Sequence, residues 1–561
     1  MTTPGEGGGV SGGSSLETFF GPRPGETPLG MVVGGSLSSG LLVRLDARLS
    51  IERLAVGRYI VIQGTSGRKF FGLITDIALD STNPDLLRQP PAPGDDFAAE
   101  VYARQVAYGT LSVSPMLMLD PDDDQPRPNK TVPAHFAPVH EASAEDVERV
   151  FGAEDDKHLF LGTPLDMQAV HVNLDLDRFV ERSSGVFGKS GTGKSFITRI
   201  LLAGIIRAGR ASALIFDMHN DYGWAVQDEG GREFKGLRQL FTAGQVSVVT
   251  LDDDTSRARG SKVDRVLRIG TQQIEPEDVE MLSGLLGLSD VQTGALPYLR
   301  RRLGPAWIDR LLSDAPDEEL AAMVEDERIA SSTLGAIQRK FEFFRRLGFL
   351  VPGAGDDAVD DIFHRLNQGT SVVLEFGRYG NTLAAYILVA NYLTRRVHER
   401  YVRKKNEAVG KKADEPRPLV IVIEEAHKFL DPAIAGHTIF GSIARELRKY
   451  NVTLLIVDQR PSAIDDEVMS QIGTRVTCLL DNEADIRAVF SGVSGAGALR
   501  EVLARLDTRQ QALILGHAVP MPVVVRTRDY DEAFYQWLGG GDQGGDRKAR
   551  AKKGRQTLYG E

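Results

Sequence analysis

The stretch SSGVFGKSGTGKSF, Ser183 to Phe196, decides the fold. A short apolar run ends at Phe187, a glycine-rich turn follows, and an amphipathic segment runs on to Gly209. A triphosphate needs several backbone N–H groups converging on its oxygens. A chain can curl that tightly only where glycine relieves the Cβ clash, here at Gly188, Gly191 and Gly193. The eight residues Gly188, Lys189, Ser190, Gly191, Thr192, Gly193, Lys194 and Ser195 therefore read as an ATP-binding loop between strand and helix. Lys194 is placed to reach the β- and γ-phosphates and the Ser195 hydroxyl to ligate Mg²⁺. The start of the next helix adds its positive dipole end.

A phosphate loop by itself indicates only that a nucleotide binds. Hydrolysis is indicated by LVIVIEEAHKF, Leu419 to Phe429. Five apolar residues predict a strand buried on both faces, and its C-terminal end delivers Glu424 and Glu425 where a parallel sheet places its ligand. Glu424 suits the Mg²⁺ shell and Glu425 suits the attacking water. The competing reading is a solvated strand end. Two further strand ends belong to the same edge: LIFDMHNDYG carries Asp217, assigned to the ATP site, and TLLIVDQRPS carries Gln459, suited to sensing the γ-phosphate.

Outward from these motifs, strands and helices alternate from about residue 161 to 540, which predicts a mostly parallel, doubly wound α/β sheet. Between about 262 and 352 the periodicity is helical throughout, predicting a helical insertion. Residues 28–120 are short β-rich runs with glycine punctuation and predict a small antiparallel β-barrel. A linker with a helix near Ala144 to Phe151 covers 121–160, and disordered tails are expected over 1–27 and 541–561.

The chain has 561 residues, 42% hydrophobic and 25% charged, enough for two or three domains. No run approaches the roughly 20 apolar residues a membrane span needs, and no signal peptide is evident, so a cytoplasmic location is expected. The single cysteine, Cys478, excludes an internal disulfide. A net charge of −11 disfavours a broadly nucleic-acid-binding surface and confines any DNA contact to a local lining such as a channel. Lys428, His437 and the Lys235 region are candidates for that lining. The basic tail Arg547 to Arg555 reads as a solvated segment or a nucleic-acid arm.

Taken in order, GKSGTGKS, FDMHNDYG, IEEAHKF, ARELRKY, DQRPS and QALILGHAVPMPVVV resemble the HerA family of hexameric DNA translocases, within the wider HerA/FtsK group of P-loop ATPases. The resemblance covers nearly all of residues 28–535. It implies a RecA-like P-loop ATPase core behind a small barrel, and a homohexamer that threads DNA through a central channel using ATP and Mg²⁺. It also implies a partner nuclease (NurA-like), docked on the barrel, in DNA end resection or repair. An alternative is the ATPase scaffold of an anti-phage defence complex, gating an effector enzyme. The resemblance places Arg445 and Arg448 at a subunit boundary and makes Arg182 a further trans-arginine candidate; a surface salt bridge is the bland alternative for each. The chain departs from the family pattern at Asp458, where a small hydroxyl residue is usual, and at Leu447 and Asn451.

Overall fold

The computed structural model describes residues 28–540 except positions 84, 89, 96, 99–100, 103–105, 122, 166, 228–229, 410–414, 436–437, 447–448, 494–495 and 508–509. The expected tails, Arg448, His437 and Leu447 lie outside the described residues. The chain divides into two compact units, Met1–Val150 and Phe151–Glu561.

The first unit is built on β1 (Gly30–Ser36), β2 (Gly40–Leu45), β3 (Tyr59–Gln63), β4 (Lys69–Ser81), β5 (Ala107–Asp120), β6 (Asp123–Pro128) and β7 (Pro138–Glu141). They pair in the order β2-β1-β7-β3-β4-β5-β6, and β2 also pairs with β5, so six strands close into a barrel with β6 appended. Side chains alternate in and out along β5, and Leu111 and Val113 join Val43, Ile60, Ile62, Ile74 and Val139 in a sealed core. Register shifts in β4–β5 at Phe71/Gly72 and Ile74/Asp76 bend the long strands around the corner. One sequence boundary needs correction. A barrel ending at 120 would be open, because β7 bridges β1 (Gly30↔Val139) and β3 (Ile62↔Val139) from within the span read as linker. The proline-rich text of 126–138 masked a four-residue strand too short to show alternation.

The second unit holds β8 (His158–Pro164), β9 (Val172–Asp175), β10 (Ser184–Phe187), β11 (Ser212–Asp217), the hairpin β12 (Val226–Gln227) and β13 (Glu233–Phe234), and β14 (Val246–Thr250). There follow β15 (Arg265–Val266), β16 (Ile269–Gly270), β17 (Leu350–Val351), β18 (Ser371–Glu375), β19 (Leu419–Glu424), β20 (Val452–Asp458), β21 (Thr474–Thr477), β22 (Gln511–Gly516) and β23 (Val523–Thr527). Twelve of these form one sheet in the order β15-β14-β18-β11-β19-β20-β10-β21-β22-β23-β8-β9. It is parallel from β15 to β21 and antiparallel beyond. Every residue of β10, β11, β14 and β18 to β21 is buried, which explains the apolar runs within all of them but β21, whose Thr474–Thr477 holds one apolar residue.

Helices cover the sheet. The segment Lys194–Ala208 buries all ten residues from Ile197 to Ile206 and ends at Gly209, whose φ of 63° suits a glycine cap. Between β16 and β17, which pair with each other, lie six helices from Pro276–Glu280 to Ser331–Arg345; buried Trp307 packs edge-on against Phe341, and its Nε1 donates to the Ile274 carbonyl at 3.0 Å. The span expected to be helical is thus framed by strands, and β15 within it extends the main sheet.

Two truncations test the role of β7. A fragment starting at residue 121 keeps β7 without β1 and β3 and exposes Val139, which is 0% exposed in the barrel. A fragment starting at 151 leaves the barrel out whole. Size-exclusion chromatography should show the first aggregating and the second soluble; equal behaviour would mean that β7 is not integral to the barrel.

Candidate nucleotide site

A cavity of about 350 Å³ lies at the C-terminal edge of the parallel strands, lined by Ser190, Gly191, Gly193, Lys194, Ser195, Phe196, His219, Asp221, Glu424, Glu425, Val457, Asp458 and Gln459. Its floor follows from strand register: Phe187 pairs with Asp458, and Glu424 pairs with Val457. Loops leaving three neighbouring strands therefore meet at one height.

The phosphate loop is held from behind. Gly188 N donates to the Asp458 carbonyl at 3.3 Å, and Lys189 N to that of Leu479 at 3.0 Å. Gly188 has φ +151°, and a Cβ there would come within 2.7 Å of the Cys478 Cβ, so buried Cys478 fixes the need for glycine. Gly191 and Gly193 have φ of 78° and 98°. Thr192 Oγ1 and Lys194 Nζ donate to the Lys189 carbonyl at 2.7 and 2.8 Å. Thr192 and Gly188 thus shape the loop, and the Lys189 ammonium pairs with Asp481 at 2.5 Å. Burial lowers the pKa of Lys194, against the pull of Cys478, Glu425, Asp458 and Glu424.

Glu424 and Glu425 leave the same strand end in different states. Glu424 is 8% exposed; its Oε1 accepts from Tyr222 Oη at 2.8 Å, and its backbone N–H and carbonyl both bond Tyr386 Oη. Its Oε2 is buried with no hydrogen-bond partner among the described residues. Burial first, and then the charge of Asp217, pushes its pKa up to about 8. A buried carboxylate oxygen without a donor, on a cavity that the helix-start Ser195 also lines, fits a hard cation held through one carboxylate, one hydroxyl and phosphate oxygens. Glu424 and Ser195 would hold Mg²⁺ there. Glu425 takes φ +50°, a left-handed conformation unusual for glutamate, and points its carboxylate into the cavity side, where Gln459 Nε2 donates to Oε1 at 2.9 Å.

Asp217 is not a cavity residue. It is 0% exposed, and its oxygens accept from the N–H groups of Asp221, Tyr222 and Gly223 at 2.6, 2.8 and 3.2 Å. It clamps the turn after β11, and that turn presents His219 and Asp221 to the cavity. The sequence reading chose the strand-end acid because its position was legible; whether its oxygens turn inward is set by the turn that follows.

The arginines and the proposed channel lysines also separate. Arg445 pairs with Glu467 at 3.1 Å and lies 3.9 Å from Asp465. Arg182 precedes β10, at the opposite sheet edge from its own cavity, with Nε buried and unpartnered among the described residues. Lys235 pairs with Glu532 at 3.2 Å and covers the Tyr535 ring, so it is engaged by the C-terminal helix, whereas Lys428 is exposed. Sequence reasoning missed His219, Asp221, Tyr222 and His427; the first three were visible in FDMHNDYG, but nothing in the text distinguished inward from outward side chains. Asn451 takes φ +60°, the left-handed state asparagine tolerates.

Residues 159–397 match the family model described as Helicase HerA, central domain. The chain is 24% identical over 448 residues to the DNA double-strand break repair helicase HerA of Pyrococcus furiosus, covering 75% of this chain and 77% of that one. It is likewise 24% identical over 514 residues to the protein of that name from Sulfolobus acidocaldarius, covering 89% and 94%. Among solved structures, VirB4 of Thermoanaerobacter pseudethanolicus aligns over 68% of this chain and 99% of its own at 15% identity, with a TM-score of 0.44. Among the described residues no helix is long and apolar enough to cross a membrane.

Three buried carboxyls at this edge have raised pKa values, each led by burial: Asp217 to about 6, Glu375 to about 7 and Glu424 to about 8. Each holds its proton more tightly folded than unfolded, so stability present at low pH is lost as pH rises through these values. The thermal midpoint of the nucleotide-free protein should fall between about pH 5 and pH 8. Glu375→Gln should flatten that fall; an unchanged slope would remove Glu375 from the linkage.

Proposed function

We propose, on the premise that the chain belongs to the HerA helicase family, that it is an ATP-hydrolysing motor acting on DNA. The observation that carries this is the convergence on one cavity of the phosphate loop, the unpartnered Glu424 oxygen and the Glu425–Gln459 hydrogen bond. Both relatives described above are named as DNA double-strand break repair helicases.

In this reading the loop N–H groups and Lys194 cradle the phosphates, and Lys194 exchanges its bond to the Lys189 carbonyl for γ-phosphate oxygens. Magnesium held by Ser195 and Glu424 would neutralise charge on the β- and γ-phosphate oxygens. Glu425 orients the attacking water and accepts its proton, while Gln459 fixes one Glu425 oxygen and reports on the γ-phosphate. The motor works as a homohexamer, with DNA in the central channel and a partner nuclease docked through the barrel, in end resection or repair. Arg182, Arg445 or Arg448 from a neighbouring subunit stabilises charge on the transferring phosphoryl group; the placement of Arg182 away from its own cavity favours such a trans role.

Lys194→Ala should weaken ATP binding, and Glu425→Gln should bind ATP yet hydrolyse it at least about 100-fold more slowly. Nucleotide titration and steady-state hydrolysis measure the two; a normal rate in Glu425→Gln rejects the assignment.

The trans arginine has its own test. Among Arg182→Ala, Arg445→Ala and Arg448→Ala, the variant that removes the trans group should be inactive alone and regain hydrolysis in verified mixed assemblies with Lys194→Ala, which create interfaces with both an intact donor and an intact acceptor. No recovery with any of the three would assign them to structural roles within one chain.

A further inference from the structure

Asp458 and His427 form a contact that the hydrolysis scheme above does not use. Asp458 ends β20, and its side chain is fully shielded from solvent. It accepts from His427 N at 2.8 Å, from Arg460 N at 2.7 Å, and from His427 Nδ1, which lies 3.0 and 3.2 Å from its two oxygens. Burial alone would raise its pKa, but the hydrogen bonds from His427 and Arg460 and the His427 charge hold it below the usual carboxylate value. An ionised acceptor on that side fixes the proton of the imidazole on Nδ1.

The same Nδ1 lies 3.7 Å from Glu425 Oε2, while Gln459 holds Oε1. Glu425 is therefore held by a hydrogen bond from Gln459 on one side and has the His427 ring, whose Nδ1 proton is committed to Asp458, beside it on the other.

We propose that Asp458 and His427 act as a positioning pair for Glu425. The carboxylate of Asp458 locks the His427 ring, and the ring confines the free oxygen of Glu425 to the direction from which water attacks. The role is positional: the His427 ring lies beside Glu425, Asp458 acts through that ring, and the water belongs to Glu425. Placement within about 1 Å is what such support provides, and its loss appears in turnover while nucleotide affinity is kept.

This inference rests on Glu425 being the residue that handles the water. The test is steady-state ATP hydrolysis by the full-length chain carrying Asp458→Asn, which keeps an acceptor for one of the two backbone N–H groups, and His427→Gln, with thermal midpoints measured alongside. Each should lower kcat about 10-fold or more while KM for ATP stays within about 2-fold. Added to Glu425→Gln, neither should lower the remaining rate by more than about 2-fold, because its effect passes through Glu425. Should Asp458→Asn fail to fold, His427→Gln decides the question alone. A full additional loss on the Glu425→Gln background, or an effect confined to KM, overturns the proposal. A normal rate in Glu425→Gln removes the proposed function and this inference together; a slow Glu425→Gln beside a full-speed His427→Gln overturns this inference only.

Discussion

Parallel register is the constraint on which the rest of this molecule depends. Phe187 beside Asp458, Val457 beside Glu424 and Asp217 beside Glu375 set five strand ends at one level. A one-residue slip in any pair would turn its buried side chains to the other face of the sheet, so burial on both faces makes the register hard to change. The chemistry is carried by loops only one to eight residues beyond these strands. Their precision comes from the strands and their variety from the loops.

The cavity edge concentrates groups that would be unfavourable elsewhere. Four carboxyls, those of Asp217, Glu375, Glu424 and Asp458, are buried at neighbouring strand ends, a lysine is partly desolvated, and a glutamate takes a positive φ. Tyrosines moderate the arrangement: Tyr222 donates to the Glu424 carboxylate, and Tyr386 braces its main chain. A cluster of this kind persists when surrounding packing over-determines it and when a charged ligand completes it. Asp217 illustrates the first condition, since its negative charge is met by three backbone N–H groups.

The sequence was most legible where one physical demand governs a run of residues. Apolar runs marked β10, β11, β14, β18 to β20 and β22, and the glycines of the phosphate loop announced backbone that no other residue adopts easily. Legibility failed where position in the chain and position in space part company. The four residues of β7 have no pattern of their own and become a strand because β1 and β3 offer open edges to either side. Asp217 and Lys235 were named from their places at strand and loop ends, yet one faces backbone and the other a neighbouring helix. Asp458 stood out as a departure from the family pattern, and its meaning required the ring of His427, which is distant by 31 residues.

The late position of β7 also bears on how the chain comes into being. Synthesis runs from the N-terminus, so a ribosome that has just completed Asp120 has made five of the six strands of a barrel that cannot yet close. Until Glu141 has been made and released, β1 and β3 each present a free edge, and the apolar interior lies open between them. Closure then joins segments about a hundred residues apart, the kind of long-range pairing that forms slowly. The growing protein thus passes through a sticky interval before its motor strands exist, when an encounter between two unfinished copies could exchange one edge for another.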